Sequence, residues 1–252
     1  MTTTDTPDSP RAVIVTGGSR GIGHAICRLL ARHGYPVAIN YSHTAAPAEE
    51  LAATIRAEGG HAVAIAANVA DPAQITALFD HATRELGPLG GLVNNAGVTG
   101  TKVRVDEQTA ETLDALFDIN VRGSMLAAGE AVRRMSTRHG GQGGSIVNLS
   151  SVAARLGGLP GLVPYAAPKA AIETFTRGLA NEVAREGVRV NAVAPGLTAT
   201  DMVPPETEAL VDRVVPMGRT GHPDEIAQAV LFLLSPASSY MTGSIMTVSG
   251  GR

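Results

Sequence analysis

Aromatic residues are scarce in this sequence. They make up 3% of the 252 residues, and tryptophan is absent. A core with so few large rings must be built from Ala, Val, Leu and Ile, which favours helices packed on a parallel sheet. Hydrophobic residues still reach 44% and charged residues 17%. The composition therefore indicates a folded chain and excludes intrinsic disorder.

Cysteine is nearly absent as well. Cys27 is the single cysteine, so no disulfide can form within the chain, and this is typical of a reducing compartment. Cys27 lies in the apolar helical stretch HAICRLLA. We therefore expect it to be a buried small hydrophobe and not a reactive thiol. We expect no metal site.

Long apolar runs and an excess of one charge are also missing. The formal net charge of −3 gives no basic footprint, so we expect neither a nucleic-acid partner nor a membrane surface. No apolar run reaches the length of a membrane span. Residues 1–10 lack the apolar region of a signal peptide and are expected to form a short disordered lead. These features predict a cytoplasmic protein.

Short apolar runs alternate with amphipathic stretches along the rest of the chain. Runs such as VIV, LVN and IVNL are apolar on both faces, as buried parallel strands are. The predicted strands are 12–16, 36–41, 62–67, 91–94, 145–149, 189–193 and 244–248. The predicted helices are 21–33, 46–58, 72–86, 107–139, 165–185 and 223–234. This alternation predicts one α/β domain over residues 11–252, a doubly wound seven-stranded parallel sheet with helices on both faces.

A glycine-rich turn, TGGSRGIG at 16–23, joins the first predicted strand to the first helix. Glycines permit a tight turn and let the backbone approach a pyrophosphate, whose charge then faces the helix N-terminus. A simple tight connection would use the same glycines, so the turn alone leaves both interpretations open.

Further short motifs follow the turn, each at the end of a predicted element. They are NNAG at 94–97, Asn120 in DINVRG, Ser151 in IVNLSSV, Tyr165 and Lys169 in YAAPK, Pro195-Gly196 in NAVAPGLTATDM, and the tail TGSIMTVSGG. With these motifs, the chain from about Arg11 to Arg252 resembles the short-chain dehydrogenase/reductase family, including its 3-oxoacyl-carrier-protein reductase-like and glucose dehydrogenase-like members. The resemblance implies a Rossmann fold and an oxidoreductase that moves a hydride between a nicotinamide and a carbonyl or secondary alcohol.

The resemblance also implies a catalytic set of Asn120, Ser151, Tyr165 and Lys169. A free tyrosine has a pKa of about 10, which is too high for efficient proton transfer near neutral pH. Lys169 follows Tyr165 by one helical turn, so we expect its ammonium, together with the positive oxidised nicotinamide, to lower the pKa of the phenol. Ser151 would orient the substrate oxygen. The resemblance adds that Lys169 binds the ribose hydroxyls and that the main chain around Asn120 holds a water that relays protons.

Each of these residues alone also suits an ordinary structural role, and their combination and order favour catalysis. Two departures from the family pattern stand out. Ser151 and Tyr165 are separated by one position more than is most common in the family. Pro168 lies between Tyr165 and Lys169, where it removes an N–H and disfavours helical geometry before it. If the helix begins near Val163, we expect its register to survive.

The residues after the second strand bear on the choice of cofactor. A carboxylate there would bind the adenosine ribose of NAD, but this chain has Asn40, Tyr41, Ser42 and His43. Arg20 is well placed for a 2′-phosphate, although a solvated loop arginine is the alternative. NADP(H) is therefore favoured over NAD(H). The expected cofactor contacts are Gly17, Ser19, Arg20, Gly21, Ile22, Gly23, Asn40, Tyr41, Ser42, Asn68, Val69, Asn95, Ala96, Gly97, Tyr165, Lys169, Pro195, Gly196, Thr198 and Thr200.

The expected lining of the substrate pocket is apolar and consists of Leu156, Leu159, Leu162, Val163, Leu197, Met202 and Val203. The long helix carries Arg122, Arg133, Arg134 and Arg138 against Glu130, and these arginines could dock an acidic acyl carrier, although solvated or subunit-contact arginines are more usual. The alternative function is a non-catalytic dinucleotide-sensing or scaffold protein on the same fold.

Excess apolar surface on two helices predicts self-association. The helix at 107–139 carries more apolar positions than one stripe needs, and the helix containing Tyr165 is similarly rich. Packing of both across two-fold axes would bury the excess, although a broad apolar face that simply covers the sheet is the alternative. Because many members of the resembled family assemble in this way, we expect a homotetramer.

Overall fold

The computed structural model describes residues 10–201 and 208–252. Seven parallel strands form one sheet in the order β3-β2-β1-β4-β5-β6-β7. The strands are β1 Ala12–Val15, β2 Val37–Tyr41, β3 Ala62–Ala66, β4 Leu89–Asn94, β5 Gly144–Leu149, β6 Val188–Pro195 and β7 Ile245–Val248. The predicted doubly wound sheet is confirmed. The sixth strand is longer than predicted, since Pro195 still pairs with Val248.

Helices cover both faces of the sheet. They are α1 Gly21–Arg32, α2 Ala46–Ala57, α3 Pro72–Leu86, α4 Ala110–Phe117, α5 Ser124–Met135, α6 Ala153–Leu156, α7 Val163–Val183, α8 Glu208–Val214 and α9 Pro223–Leu234. The sequence does not predict α6 or α8, because one or two turns offer too few positions to show a period. No helix of the described ranges is long and apolar enough to cross a membrane.

The prediction of one α-helix over 107–139 is wrong in its bounds and in its middle. Thr109 caps the start of α4, where its Oγ1 accepts a hydrogen bond of 3.3 Å from the Thr112 N–H. The chain then forms a π-helical turn, Asp118–Gly123, before α5. The α5 helix ends at Met135, and Gly140 soon follows with φ of +83°. Wider π-helical turns of this kind often mark functional positions.

Alternate side chains of the buried strands serve two separate cores. Val13 and Val15 face α1, α2 and α9, whereas Ile14 faces α3, α5 and α7. Each strand therefore needs apolar residues at every position, which explains the continuous runs in the sequence. The strand order reverses between β1 and β4, and this reversal opens a crevice at the carboxyl ends of the strands.

Candidate active site

The glycine turn lies at the crevice and leads into α1. Gly17 and Gly21 adopt φ of +61° and +53°, which favours glycine over other residues. A Cβ on Gly23 would lie 2.2 Å from the Gly17 carbonyl oxygen, so only glycine fits there. No side chain caps the start of α1. The turn is therefore a cradle of backbone groups of the kind that binds a pyrophosphate.

The NNAG segment holds this turn in place. Asn95 Nδ2 donates to the carbonyl oxygens of Thr16 and Gly17, each at 2.9 Å. Thr16 Oγ1 in return accepts from the backbone N–H groups of Asn95 and Ala96 at 3.0 Å. The ends of β1 and β4 are thus tied together by side chains of both motifs.

Asn40 braces the turn from the other side. Its Oδ1 accepts from the Gly17 N–H at 3.2 Å, and its Nδ2 donates to the carbonyl oxygens of Ile65 and Ala67 at 3.3 and 2.9 Å. Asn40 is only 2% exposed. The amide expected to contact the cofactor is therefore already bonded to protein groups, and Asn40 shapes the site from behind.

One continuous cavity of about 1020 Å³ runs from the glycine turn to Tyr165. All twenty residues expected to contact a cofactor lie on its wall, as do Ser151, Tyr165 and Lys169 of the catalytic set. The volume is at the upper end of that of ligand pockets, about 300–1,000 Å³, and suits a large ligand. Of the expected substrate lining, Leu156, Leu159, Leu162 and Leu197 are on the wall, and Val163 is not among the described lining residues. Met202 and Val203, like residues 1–9, lie outside the described residues.

Tyr165 and Lys169 share one face of α7. The helix begins at Val163, as expected, and continues through Pro168. Lys169 Nζ lies 5.6 Å from the centroid of the Tyr165 ring and donates a 2.8 Å hydrogen bond to the Leu149 carbonyl oxygen. The helical register therefore survives the proline.

Burial dominates the protonation of this pair. It raises the pKa of Tyr165 to about 12, although the side-chain hydrogen bond with Ser151 acts in the opposite direction. It lowers the pKa of Lys169 to about 8. Desolvation is thus the largest effect on the phenol among the protein groups, and the lowering of its pKa by Lys169 together with the nicotinamide stays a prediction. Tyr165 is a neutral phenol near pH 7 and holds a proton that it can donate.

Asn120 lies behind the cavity wall and not on it. Its Nδ2 donates to the carbonyl oxygens of Val98 and Leu116 at 3.0 and 2.8 Å, and its Oδ1 accepts from the Val98 N–H at 3.2 Å. A Cβ on Gly97 would lie 2.7 Å from Asn120 Oδ1 and 3.5 Å from Lys169 Nζ. In this structure Asn120 therefore positions the segment that contacts Lys169.

The arginines considered for carrier docking mostly have partners within the chain. Arg122, from the π-helical turn, donates a 2.6 Å hydrogen bond to the Ala70 carbonyl oxygen and pairs with Asp118 at 3.3 Å. Arg133 and Arg134 both pair with the buried Glu130. Sequence reasoning missed the role of Arg122 beside the proposed cofactor cleft, although the Asp118–Arg122 spacing of four signals the pair.

Comparison with known proteins agrees with this geometry. The family model described as Enoyl-(Acyl carrier protein) reductase matches residues 17–252. The Escherichia coli (strain K12) protein named uncharacterised oxidoreductase YgfF is 46% identical over 243 residues, which cover 95% of this chain and 98% of that protein. A 3-oxoacyl-[acyl-carrier-protein] reductase of Synechocystis is 37% identical, with 96% of each chain covered.

A solved structure gives the same result. The short chain dehydrogenase from Burkholderia cenocepacia J2315 in complex with NADP superposes with a TM-score of 0.90 at 36% identity, covering 96% of this chain and 97% of that chain. The motifs, the sheet order and these relatives together lead to one assignment. The chain belongs to the short-chain dehydrogenase/reductase family of oxidoreductases.

Proposed function

We propose that this protein is an NADP(H)-dependent oxidoreductase that interconverts a carbonyl compound and a secondary alcohol, with Tyr165 as the general acid and base. The observation that carries the proposal is the shared cavity. Ser151, Tyr165 and Lys169 lie on the wall of the same cleft that the glycine turn borders. A dinucleotide on the turn and a substrate at Tyr165 would therefore meet within one site.

The cradle and its surroundings fit NADP(H). Gly17, Gly21 and Gly23 leave no Cβ between the backbone and a pyrophosphate. The exposed Arg20 lies on the cavity wall, and the residues that follow β2 there, Ser42 and His43, carry no carboxylate. An arginine without a competing acid favours a 2′-phosphate. The NADP in the Burkholderia relative supports the same cofactor.

Each catalytic side chain has one task in the reductive direction. When bound, the nicotinamide supplies the hydride. Tyr165 donates its phenolic proton to the substrate oxygen as negative charge develops there, which suits its neutral state. Ser151 holds the same oxygen by a hydrogen bond. Lys169, with a pKa near 8, is able to exchange protons near neutral pH and so helps to restore the phenol.

The test is the Tyr165→Phe variant, assayed by nicotinamide absorbance with a panel of ketones and alcohols. We expect kcat to fall by about 10²–10⁴-fold, because general acid catalysis is lost, while NADPH binding measured by fluorescence stays nearly unchanged. Tyr240→Phe is the matched control, since Tyr240 is fully exposed and away from the cavity. Appreciable residual turnover in Tyr165→Phe would refute the assignment. Dinucleotide binding without any turnover by the wild type would support a sensing or scaffold role.

The oligomeric state and the cellular location of the protein are also proposed. We propose a homotetramer built on α4, α5 and α7, and a cytoplasmic protein.

A further inference from the structure

The catalytic end of the cavity is walled by aliphatic side chains. They come from the segment after β4, from the region between β5 and α7, and from the segment after β6. They are Val98, Val152, Leu156, Leu159, Leu162 and Leu197. Val152 is 5% exposed and Leu159, Leu162 and Leu197 are partly buried, whereas Val98 and Leu156 are 36% and 48% exposed, so four of the six groups form a sheltered wall and two lie at its rim. An apolar wall of this kind favours hydrocarbon groups on the substrate.

Charged side chains on the described wall lie elsewhere or are engaged. Arg20 belongs to the glycine turn. Asp201 lies beside that turn, because Thr200, its neighbour in the chain, has its Cγ2 3.3 Å from where a Cβ on Gly21 would be. Asp118 pairs with Arg122, which holds the segment after β3. Besides Asp118 and Asp201, the described wall contains no Asp or Glu side chain, and it has one lysine or arginine besides Arg20 and Lys169.

That cation is Arg252, beside α6. Its main-chain oxygen accepts hydrogen bonds from Arg155 and, at 2.8 Å, from Ser249 Oγ. The side chain is only partly buried. Apart from Lys169, it is the one lysine or arginine on the described wall near the catalytic end, and it therefore defines the competing outcome.

The hydroxyls of Ser151 and Tyr165, which take part in the proposed reaction, bind the same substrate oxygen. Ser151 Oγ accepts from the Ala153 N–H at 3.1 Å and bonds to the Tyr165 side chain. The neighbouring Ser150 Oγ bonds away from the cavity, to Glu173 Oε1 at 2.9 Å and the Lys169 carbonyl oxygen at 3.2 Å. Thr99, next to Val98, adds one hydroxyl, so a second polar group on the substrate would find few side-chain partners on the described wall.

We infer that the substrate is an uncharged ketone or aldehyde, or the corresponding alcohol, whose substituents are hydrocarbon. This inference rests on the proposed function and narrows its substrate class. A hydroxyl or a carboxylate held against the aliphatic wall loses hydration without gaining a partner, and a charge loses more than a hydroxyl. Sugars and keto acids are therefore poor substrates.

The experiment compares three ketones of equal length: methyl hexyl ketone, its ω-hydroxy analogue and its ω-carboxylate analogue. We expect kcat/KM to fall about tenfold for the hydroxyl and about 100-fold or more for the carboxylate. Equal or better turnover of either polar analogue overturns the inference. If Tyr165→Phe abolishes that turnover, the proposed oxidoreductase function still stands. Failure of every carbonyl and alcohol tested, with NADPH bound, counts against both.

Two variants test whether the aliphatic side chains at the catalytic end contact the substrate. Leu159→Lys places a cation at the catalytic end, so we expect the carboxylate-to-ketone ratio of kcat/KM to rise at least about tenfold. Val105→Lys is the control, because Val105 is 68% exposed and lies off the cavity wall, and it should leave the ratio unchanged. NADPH affinity measured for both variants shows that each has folded. An unchanged ratio in a folded Leu159→Lys protein overturns the inference.

Discussion

Arg20 occupies the position where α1 begins, and its side chain is exposed on the cavity wall. A guanidinium there can form charged hydrogen bonds to a 2′-phosphate that NADPH has and NADH lacks. We expect Arg20→Ala to weaken NADPH binding by about 10- to 100-fold, because hydrogen bonds to charged groups contribute about 1.5–3 kcal/mol, while NADH binding changes little. Titration of fluorescence with each dinucleotide measures both constants.

Arg32→Ala serves as the control, since Arg32 lies at the far end of α1 and pairs only loosely with Glu58 at 3.7 Å. Equal losses of NADPH and NADH affinity in Arg20→Ala, or a wild type that prefers NADH, would contradict this role of Arg20.

Single residues show where sequence reasoning succeeds and where it stops. Tyr165 and Lys169 could be paired from their spacing alone, because a helix places residues four apart on one face. The pKa of Tyr165 could not be predicted, since it depends on how completely the surrounding chain removes water from the phenol. The same limit applies to Asn40, whose partners Ile65 and Ala67 are distant in sequence.

The π-helical turn Asp118–Gly123 connects the two ends of the cavity. Asn120 reaches towards Gly97 and the catalytic end, whereas Arg122 bonds to Ala70 in the segment after β3. Gly123 packs closely here, since a Cβ on it would lie 2.5 Å from the Val69 carbonyl oxygen. One wide turn therefore positions backbone on both sides of the site.

Removal of the Arg122 side chain tests this connection. Arg122→Met loses the bond to the Ala70 carbonyl oxygen, so we expect NADPH and NADH to bind about threefold to tenfold more weakly, in equal proportion, from the loss of about one hydrogen bond. Arg138→Met is the control, because Arg138 is 76% exposed in its side chain and approaches Glu186 only at 3.9 Å. A loss confined to NADPH, or no loss at all, would show that Arg122 does not order this segment.

The elements themselves were largely predictable from hydrophobic period, and the π-helical turn was not. Apolar positions continue through residues 113–126, so the pattern indicates one uninterrupted helix. Within the wider turn, Gly123 packs closely against the Val69 carbonyl oxygen, a contact between residues that are distant in sequence. Such packing leaves no periodic signal in the sequence.

Apolar side chains of three helices remain exposed or partly buried in the single chain, and they bear on how the whole molecule assembles. Phe117 and Met125 are 41% and 37% exposed on α4 and α5, and Phe175 and Leu179 of α7 are only partly buried. We expect light scattering at micromolar concentration to give about four times the 25.8 kDa of one chain, because two-fold packing of these helices would cover the exposed side chains. A mass near one chain would refute oligomerisation, and a stable dimer would refute the tetramer alone.

Cys27 lies beneath the glycine turn, and this position determines whether oxidants and alkylating reagents in solution can reach its thiol. Its Sγ would be 2.9 Å from a Cβ on Gly18, it is fully buried, and burial raises the pKa of the thiol. Oxidants and alkylating reagents attack the thiolate, so the folded chain offers them neither access nor the reactive form. Separation of α1 from the sheet would expose this thiol, and the added oxygen atoms of an oxidised sulfur would then crowd Gly18 as the helix returns. Damage of this kind would therefore accumulate in proportion to the time that the chain spends unfolded.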